Sequence, residues 1–213
     1  MTPFRTLTAR VAPLDRANVD TDQIIPKQFL KRVERTGYGE FLFFDWRRTP
    51  QNTPDPNFVL NKPHFEGAQI LVAGKNFGCG SSREHAAWAL ADFGFRCVIS
   101  SSFADIFFSN AAKNGMLLIT LPEDQVATLL VRAETTRGYQ LTVSLEDQTV
   151  TDNQGFRAAF SIDPFRRYCL MEGLDDIGLT LRHEAALDSF ERQHGGNLWA
   201  APRPAATTAG EVH

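Results

Sequence analysis

The sequence contains no CxxC pair, and its three cysteines, Cys79, Cys97 and Cys169, stand far apart. An odd number of widely spaced cysteines does not suit a disulfide framework and is typical of reduced thiols in a cytoplasm. Iron–sulfur clusters are held by sets of cysteines, so we do not expect this chain to hold such a cluster by itself. The expectation is a cytoplasmic protein with no cluster of its own.

The sequence also lacks a long apolar run and a large charge of either sign. No segment is apolar enough to cross a bilayer, and the N-terminal segment has no apolar stretch of signal-peptide length. The net charge of −3 gives no general attraction to nucleic acid or to an acidic membrane. No histidine pair has metal-ligand spacing, so no metal site is predicted. The histidines are His64, His85, His183, His194 and His213.

The centre of the sequence alternates strand-like and helix-like segments. Short apolar runs are followed by amphipathic stretches, and glycine or proline separates several of them. This alternation predicts an α/β core with mostly parallel strands. The predicted strands lie at 69–74, 96–102 and 116–122, and the predicted helices at 82–93, 102–115 and 123–134.

The pattern changes after Gly138. Alternating apolar and polar residues around turn signals at 146–147 and 152–155 predict antiparallel hairpins. A helix over 163–173 has an aspartate cap, a proline at its first position and a terminal glycine, and a last helix is predicted over 179–193.

The last twenty residues have little to bury. The segment 194–213 is rich in glycine, proline, alanine and threonine, which predicts a disordered tail. We therefore predict a single domain over 1–193.

The segment 76–87, NFGCGSSREHAA, holds most of the reactive side-chain types of the protein in one loop. Ser81 followed three residues later by Glu84 has the form of a capping box, in which each residue bonds the other's backbone N–H. This is the simplest interpretation of the pair, and it requires no ligand.

The same loop can also bind an anion. A strand, a glycine turn and a helix start leave backbone N–H groups directed at one place, with the positive end of the helix dipole behind them. Gly78, Cys79 and Gly80 would form this cradle, since glycine lets a ligand approach the backbone closely. Arg83 adds a guanidinium suited to a carboxylate.

A cysteine hydrolase is a third interpretation of the loop. The helix N-terminus could lower the pKa of Cys79, with His85 as the base. However, a base on the same helix would project away from the loop, and no third group that orients it is evident. A surface or capping role suits His85 better.

Several motifs together resemble one family. GCGSSREHA resembles the signature of the swivelling domain in the aconitase superfamily, and NVDTDQIIPKQFL resembles the small subunit of the 3-isopropylmalate dehydratase family. The segments at 37–46, 102–110 and 163–181 do so too, and the resemblance extends to about residue 193. It implies a three-layer swivelling β/β/α domain with a mostly parallel core sheet and antiparallel hairpins.

The resemblance also implies a reaction and a partner. The family isomerises 2-isopropylmalate to 3-isopropylmalate in leucine biosynthesis, by removing water and adding it back. A [4Fe–4S] cluster on a large subunit takes the substrate hydroxyl, while the small subunit supplies the base and caps the cleft. The expected ligand of the complex is a small dicarboxylate.

Site residues carry over by motif position. Ser81 resembles the family's catalytic serine, Ser82 and Arg83 resemble its substrate-carboxylate contacts, and Asp22 resembles an active-site aspartate. The segment 27–39 falls where the family has a mobile substrate-selecting loop, in which Lys31 and Arg35 are candidates for substrate contact or simply for a solvated basic face. Related dehydratases of the citraconate or homoaconitate type, and a stand-alone module that binds a small carboxylate, are the alternatives.

Overall fold

The computed structural model describes residues 1–31 and 36–194. They belong to two compact units, Met1–Asp175 and a second that begins at Asp176. The residues 195–213 lie outside the described residues, so the disordered tail stays a prediction. The single domain over 1–193 also stays a prediction.

The described residues form one seven-stranded sheet. Its strands are β1 Thr6–Leu14, β2 Ile70–Ala73, β3 Cys97–Ser100, β4 Leu117–Thr120, β5 Gln140–Ser144, β6 Thr149–Thr151 and β7 Arg157–Ala159. Their spatial order is β4-β3-β2-β1-β5-β6-β7. The strands β1 to β4 pair in parallel, and β5 to β7 continue the sheet as antiparallel neighbours. The predicted α/β class, with a parallel core and antiparallel hairpins, is confirmed.

Strand β1 joins the parallel and antiparallel parts, and no predicted strand corresponds to it. Val11 lies opposite Ile70 of β2, and Thr6 lies opposite Ser144 of β5. Proline is rare in central strands. Because Pro13 lies in this segment, the local sequence does not predict a strand there.

Helices precede, follow or connect these strands. Their bounds are α1 Thr21–Ile24, α2 Phe44–Arg47, α3 Glu84–Phe93, α4 Asp105–Lys113, α5 Glu123–Thr135, α6 Pro164–Glu172, α7 Asp176–Leu181 and α8 Glu184–His194. Short 3-10 helices lie at Lys27–Lys31, Gly39–Phe41, Val59–Asn61 and Pro63–Phe65. The single last helix predicted over 179–193 is wrong, since α7 ends at Leu181 and α8 starts at Glu184. None of the helices formed by the described residues is long and apolar enough to cross a bilayer.

Side chains of the parallel strands alternate between two hydrophobic cores, because successive residues of a strand face opposite sides of the sheet. On β2, Leu71 and Ala73 join the core that includes residues of α3 and α4. Ile70 and Val72 join the core that includes residues of α5. Burial on both faces explains why β2 is a continuous apolar run and why β3 and β4 are nearly so.

Residues 27–31 and 36–39, the two ends of the segment 27–39 that the structure describes, are held by contacts of their aromatic residues. The rings of Phe29 and Phe41 stack with centroids 4.1 Å apart. The Tyr38 N–H donates to Oδ2 of Asp92 on α3, at 2.9 Å. The segment is thus attached to the same helix that follows the glycine loop.

Candidate active site

The loop 74–83 connects the carboxyl end of β2 to the first turn of α3. At Gly78 the backbone φ is +79°, and a Cβ would lie 2.2 Å from Cγ of Phe107. At Gly80 φ is +89°. Only glycine fits the close approach at Gly78, and both glycines adopt a backbone conformation that other residues rarely reach. The loop therefore turns back sharply at the edge where the parallel strands end.

A second segment, Val19–Thr21, lies along this loop and bonds to it. The N–H groups of Gly78 and Cys79 both donate to the Val19 carbonyl, at 2.7 and 3.2 Å. The Thr21 N–H donates to the Cys79 carbonyl at 2.9 Å, and the Thr21 hydroxyl donates to the Ser81 carbonyl at 2.8 Å. Two regions nearly sixty residues apart in sequence thus form one unit.

These bonds change which amides an anion could reach. The predicted cradle at Gly78 and Cys79 is wrong, because both N–H groups are used by Val19. In the part of the chain that the structure describes, the N–H groups of residues 80–83 make no hydrogen bond. The unbonded amides of the loop therefore run from Gly80 to Arg83, immediately before α3.

The predicted capping box of Ser81 with Glu84 is also wrong. Helix α3 begins at Glu84, and its N-cap is Arg83, which makes no capping side-chain hydrogen bond. A capping box does exist one segment away: Asp20 accepts from the Gln23 N–H, and the Gln23 side chain accepts from the Asp20 N–H. That capping box holds the short helix α1, which carries Thr21 and Asp22.

Ser81 and Ser82 are both exposed, so their hydroxyls are accessible from solvent. Beside them, Arg83 donates through Nη1 to Oδ1 of Asp22 and through Nη2 to Oδ2 at 3.1 Å. The Arg83 side chain is only 15% exposed, whereas that of Asp22 is 51% exposed. The structure thus brings Asp22 and Arg83 together, next to the two serines in sequence.

The Asp22–Arg83 pair has a clear electrostatic consequence. The hydrogen bond from Arg83 is the main cause that holds the pKa of Asp22 below its usual value, and the charge of Lys27 acts in the same direction. Asp22 is therefore an anion at neutral pH, and it fixes the guanidinium plane at the start of α3. A guanidinium has five N–H donors, so three remain for another carboxylate.

The cysteine hydrolase interpretation is not supported. Burial and the nearby charge of Asp20 raise the pKa of the Cys79 thiol, which is opposite to the activation that a nucleophile needs. The His85 ring packs against the rings of Tyr38 and Trp88, with centroids 5.3 and 4.6 Å away. Desolvation lowers the pKa of His85. His85 is thus part of an aromatic contact that attaches Tyr38 to α3.

The predicted cations of the segment 27–39 are less well placed. Lys31 is exposed at the end of its 3-10 helix, and Arg35 lies outside the described residues. Sequence reasoning missed Thr21 and Lys27, although both stand in the motif NVDTDQIIPKQFL. Neither residue type is by itself a signal of a site: Thr21 is relevant because it bonds the loop, and Lys27 because its charge acts on Asp22.

The donor set of this chain does not form a metal site in the structure described here. No three histidine, cysteine, aspartate or glutamate side chains converge among residues 1–31 and 36–194. Cys79, Cys97 and Cys169 are all thiols, and Cys97 is fully buried, which raises its pKa strongly. A deprotonated thiolate ligand is therefore disfavoured at Cys97.

Family models match most of the chain. The Aconitase C-terminal domain model matches residues 1–124, and a model described as LeuD_N matches residues 127–164. A model of the C-terminal domain of the 3-isopropylmalate dehydratase small subunit matches residues 176–195.

Relatives match over nearly their full length. A 3-isopropylmalate dehydratase small subunit of Acidobacterium capsulatum is 71% identical over 203 residues, which covers 95% of this chain and 96% of the relative. One of Brevibacillus brevis is 57% identical over 191 residues, which covers 90% of this chain and 98% of the relative. A crystal structure of 3-isopropylmalate dehydratase (leuD) from Methanocaldococcus jannaschii is similar with a TM-score of 0.63 at 25% identity, covering 87% of this chain and 99% of that one.

Proposed function

Since the chain belongs to the family of 3-isopropylmalate dehydratase small subunits, we propose that its Ser81–Arg83 segment supplies the proton-transfer and carboxylate-binding groups for this reaction. The chain is the small subunit of an aconitase-related lyase that acts with a large subunit. The reaction converts 2-isopropylmalate to 3-isopropylmalate in leucine biosynthesis. The exposed Ser81 beside the anchored Arg83 is the observation that carries this proposal.

Ser81 is the base of the reaction. Its Oγ, as an alkoxide, accepts the proton from the carbon next to a substrate carboxylate, while the hydroxyl group leaves the neighbouring carbon and a double bond forms between them. In the return step Ser81 delivers that proton to the carbon that lost the hydroxide, and hydroxide adds at the carbon that had lost the proton, so that Ser81 is again an alkoxide. One proton and one hydroxide leave in the first step and are returned in the second, which balances the reaction.

Arg83 and Ser82 bind the carboxylate whose neighbouring carbon loses the proton. The donors of Arg83 that Asp22 does not use form charge-assisted hydrogen bonds to it. The Ser82 hydroxyl and the amides of residues 80–83 add further donors. Lys31 and Arg35 are the proposed contacts from the segment 27–39.

The loop is too weak to supply the catalysis alone. A helix N-terminus stabilises a negative charge by about 0.3–1 kcal/mol, or by up to ~2 kcal/mol when it is partly buried. Enzymes typically lower the barrier of their reaction by at least ~8 kcal/mol. The remainder comes from the Arg83 charge, from water exclusion when the two subunits close over the site, and from the partner. A [4Fe–4S] cluster on the large subunit supplies a Lewis acid for the substrate hydroxyl.

A serine substitution tests the base. In the complex with the large subunit, Ser81→Ala should lower kcat about 10²–10⁴-fold, the usual effect of losing a general base. Ser82→Ala, next to it and also exposed, should act mainly on KM and serves as the matched variant. Unfolding curves of both should overlay that of the wild type. A Ser81→Ala enzyme that keeps near wild-type kcat overturns the assignment.

We propose 2-isopropylmalate as the substrate and the cytoplasm as the compartment. Assaying the complex with 2-isopropylmalate, citraconate and homoaconitate separates the isopropyl acid from the related acids. The three thiols suit a reducing cytoplasm. Failure of this chain to associate with a large subunit would instead favour a stand-alone carboxylate-binding module.

A further inference from the structure

We propose that Thr21 is the positioning residue for Ser81, because it holds the two carbonyls on either side of Gly80. This proposal rests on the proposed function, because it takes Ser81 to be the base. Thr21 itself need not touch the substrate.

The contacts of Thr21 are made from a buried side chain. Its relative exposure is 2%, which places it with Ser100 and Ser144 among the buried hydroxyl-bearing residues. Its N–H donates to the Cys79 carbonyl at 2.9 Å, and its hydroxyl donates to the Ser81 carbonyl at 2.8 Å. One residue therefore fixes two peptide groups of the loop.

Fixing these carbonyls also decides where the amides point. A trans peptide is planar, and its C=O and N–H are directed to opposite sides. When Thr21 holds the Cys79 carbonyl, the N–H of Gly80 is turned away from Thr21. When it holds the Ser81 carbonyl, the N–H of Ser82 is turned away in the same manner. Thr21 thus orients two amides available to a carboxylate.

The loop needs such an anchor because glycine leaves it flexible. Gly80 has φ of +89°, and a Cβ there would lie 3.3 Å from Cβ of Asp20 and 3.6 Å from Oγ1 of Thr21. The loop backbone therefore runs directly over Thr21. Without the hydroxyl, the Ser81 carbonyl is free to rotate toward water, and the Ser81 side chain moves with it.

Thr21 is itself rigidly placed. It occupies the first position of α1, directly after the Asp20 cap, whose side chain accepts from the Gln23 N–H at 2.8 Å. The Asp20 N–H in turn donates to Gln23 Oε1 at 3.0 Å. The same short helix carries Asp22, which holds Arg83. A single capped turn therefore positions both the base and the carboxylate-binding side chain.

The test compares two substitutions of Thr21 with a matched control, each as the complex with the large subunit. Thr21→Val keeps the shape and removes the donor, Thr21→Ser keeps the donor, and Ser144→Ala removes another buried hydroxyl. Ser144 donates to Asp147 at 2.8 Å in the antiparallel part of the sheet.

Thr21→Val should lower kcat about 10²-fold, the effect of a small misplacement of a catalytic group. The KM should change much less, Thr21→Ser should recover most of kcat, and Ser144→Ala should leave it unchanged.

Hydrogen exchange gives a readout that does not depend on activity. In Thr21→Val the peptide covering residues 78–83 should exchange faster than in the wild type, since the bonds to Val19 loosen with the loop. Unchanged exchange, or a Thr21→Ser variant as slow in turnover as Thr21→Val, overturns the role of Thr21. Faster exchange with full kcat also overturns it. A fully active Ser81→Ala enzyme instead removes the proposed base, so the two failures are distinguishable.

Discussion

The pair of Asp22 and Arg83 shows how one contact defines the chemistry of a residue. Arg83 would be a solvated cation on an exposed helix start, but two hydrogen bonds to Asp22 fix its plane. Asp22 is half exposed, so solvent screens the pair and its contribution to stability is modest. Its importance lies in geometry, because a fixed guanidinium meets a carboxylate with less loss of conformational freedom.

Asp22→Asn should raise KM for 2-isopropylmalate roughly tenfold, a loss of about 1.4 kcal/mol of binding, because Arg83 loses the negative charge and one of the two acceptors that fix its plane. The pKa of Asp22 is lowered in the folded chain. Its stabilisation is therefore complete above the usual aspartate range and is lost as pH falls through the folded pKa. The difference in unfolding free energy between wild type and Asp22→Asn should accordingly shrink from pH 7 to pH 3.

The control Asp45→Asn changes an exposed aspartate without an ion pair among the described residues, and it should not alter KM. An Asp22→Asn enzyme with wild-type KM would contradict this account.

At the scale of elements, a buried carboxylate connects helix α5 to the turn between β6 and β7. The fully buried side chain of Asp152 accepts from Arg132 on α5 and from the Tyr139 hydroxyl, both at 2.6 Å. The N–H groups of Gln154 and Phe156 donate to its other oxygen at 2.8 Å. Every oxygen of this buried charge is thus satisfied, as burial requires.

Removing part of this network should destabilise the fold without touching the active site. Asp152→Ala should lower the free energy of unfolding more than Tyr139→Phe does, because it removes the acceptor of four hydrogen bonds. Tyr139→Phe should cost about 1.5–3 kcal/mol, since it removes one hydrogen bond to a charge. Exposed Glu146, which pairs with Arg5 at 3.2 Å, is the control, and Glu146→Gln should change stability by less than ~1 kcal/mol. Denaturant unfolding of the purified chain measures all three, and equal effects of Asp152→Ala and Glu146→Gln would refute the network.

The same network has a pH dependence of known sign. Burial raises the pKa of Asp152, but the hydrogen bonds from Tyr139, the Phe156 N–H and Arg132 outweigh it and hold that pKa below its usual value. The stabilisation is present above the usual aspartate range and is lost as pH falls through the folded pKa.

At the scale of the whole molecule, the chain is a small subunit of the 3-isopropylmalate dehydratase family. The serines of the loop are exposed, and the described residues bring together no set of metal ligands. The small-subunit relatives match it along nearly their whole length. A chain of this family acts together with a large subunit.

The purified chain alone should show no turnover of 2-isopropylmalate, and titration with a reconstituted large subunit should restore activity until the sites are saturated. Removing iron from the large subunit with a chelator should abolish that activity, while association of the two chains, followed by ultracentrifugation, should persist. Turnover by a rigorously partner-free preparation would contradict this prediction.

Local sequence determined most elements of the parallel core. Apolar runs bounded by glycine or proline marked β2, β3 and β4, and the aspartate, proline and glycine around α6 marked its ends. The reactive loop was also visible, because glycine, serine and arginine occur there in a combination that resembles one family. These features depend on residues within a few positions of one another.

Only the tertiary structure decided how the loop is held and which of its groups a ligand can reach. The pairing of Val19–Thr21 with the loop uses the amides of Gly78 and Cys79, and Asp22 reaches Arg83 from 61 positions away. The start of α3 at Glu84 excludes the local capping box. Such outcomes are contacts between distant segments, and the periodicity and capping rules that govern neighbouring residues carry no information about them. Chemistry was therefore encoded locally, and its geometry was set by packing.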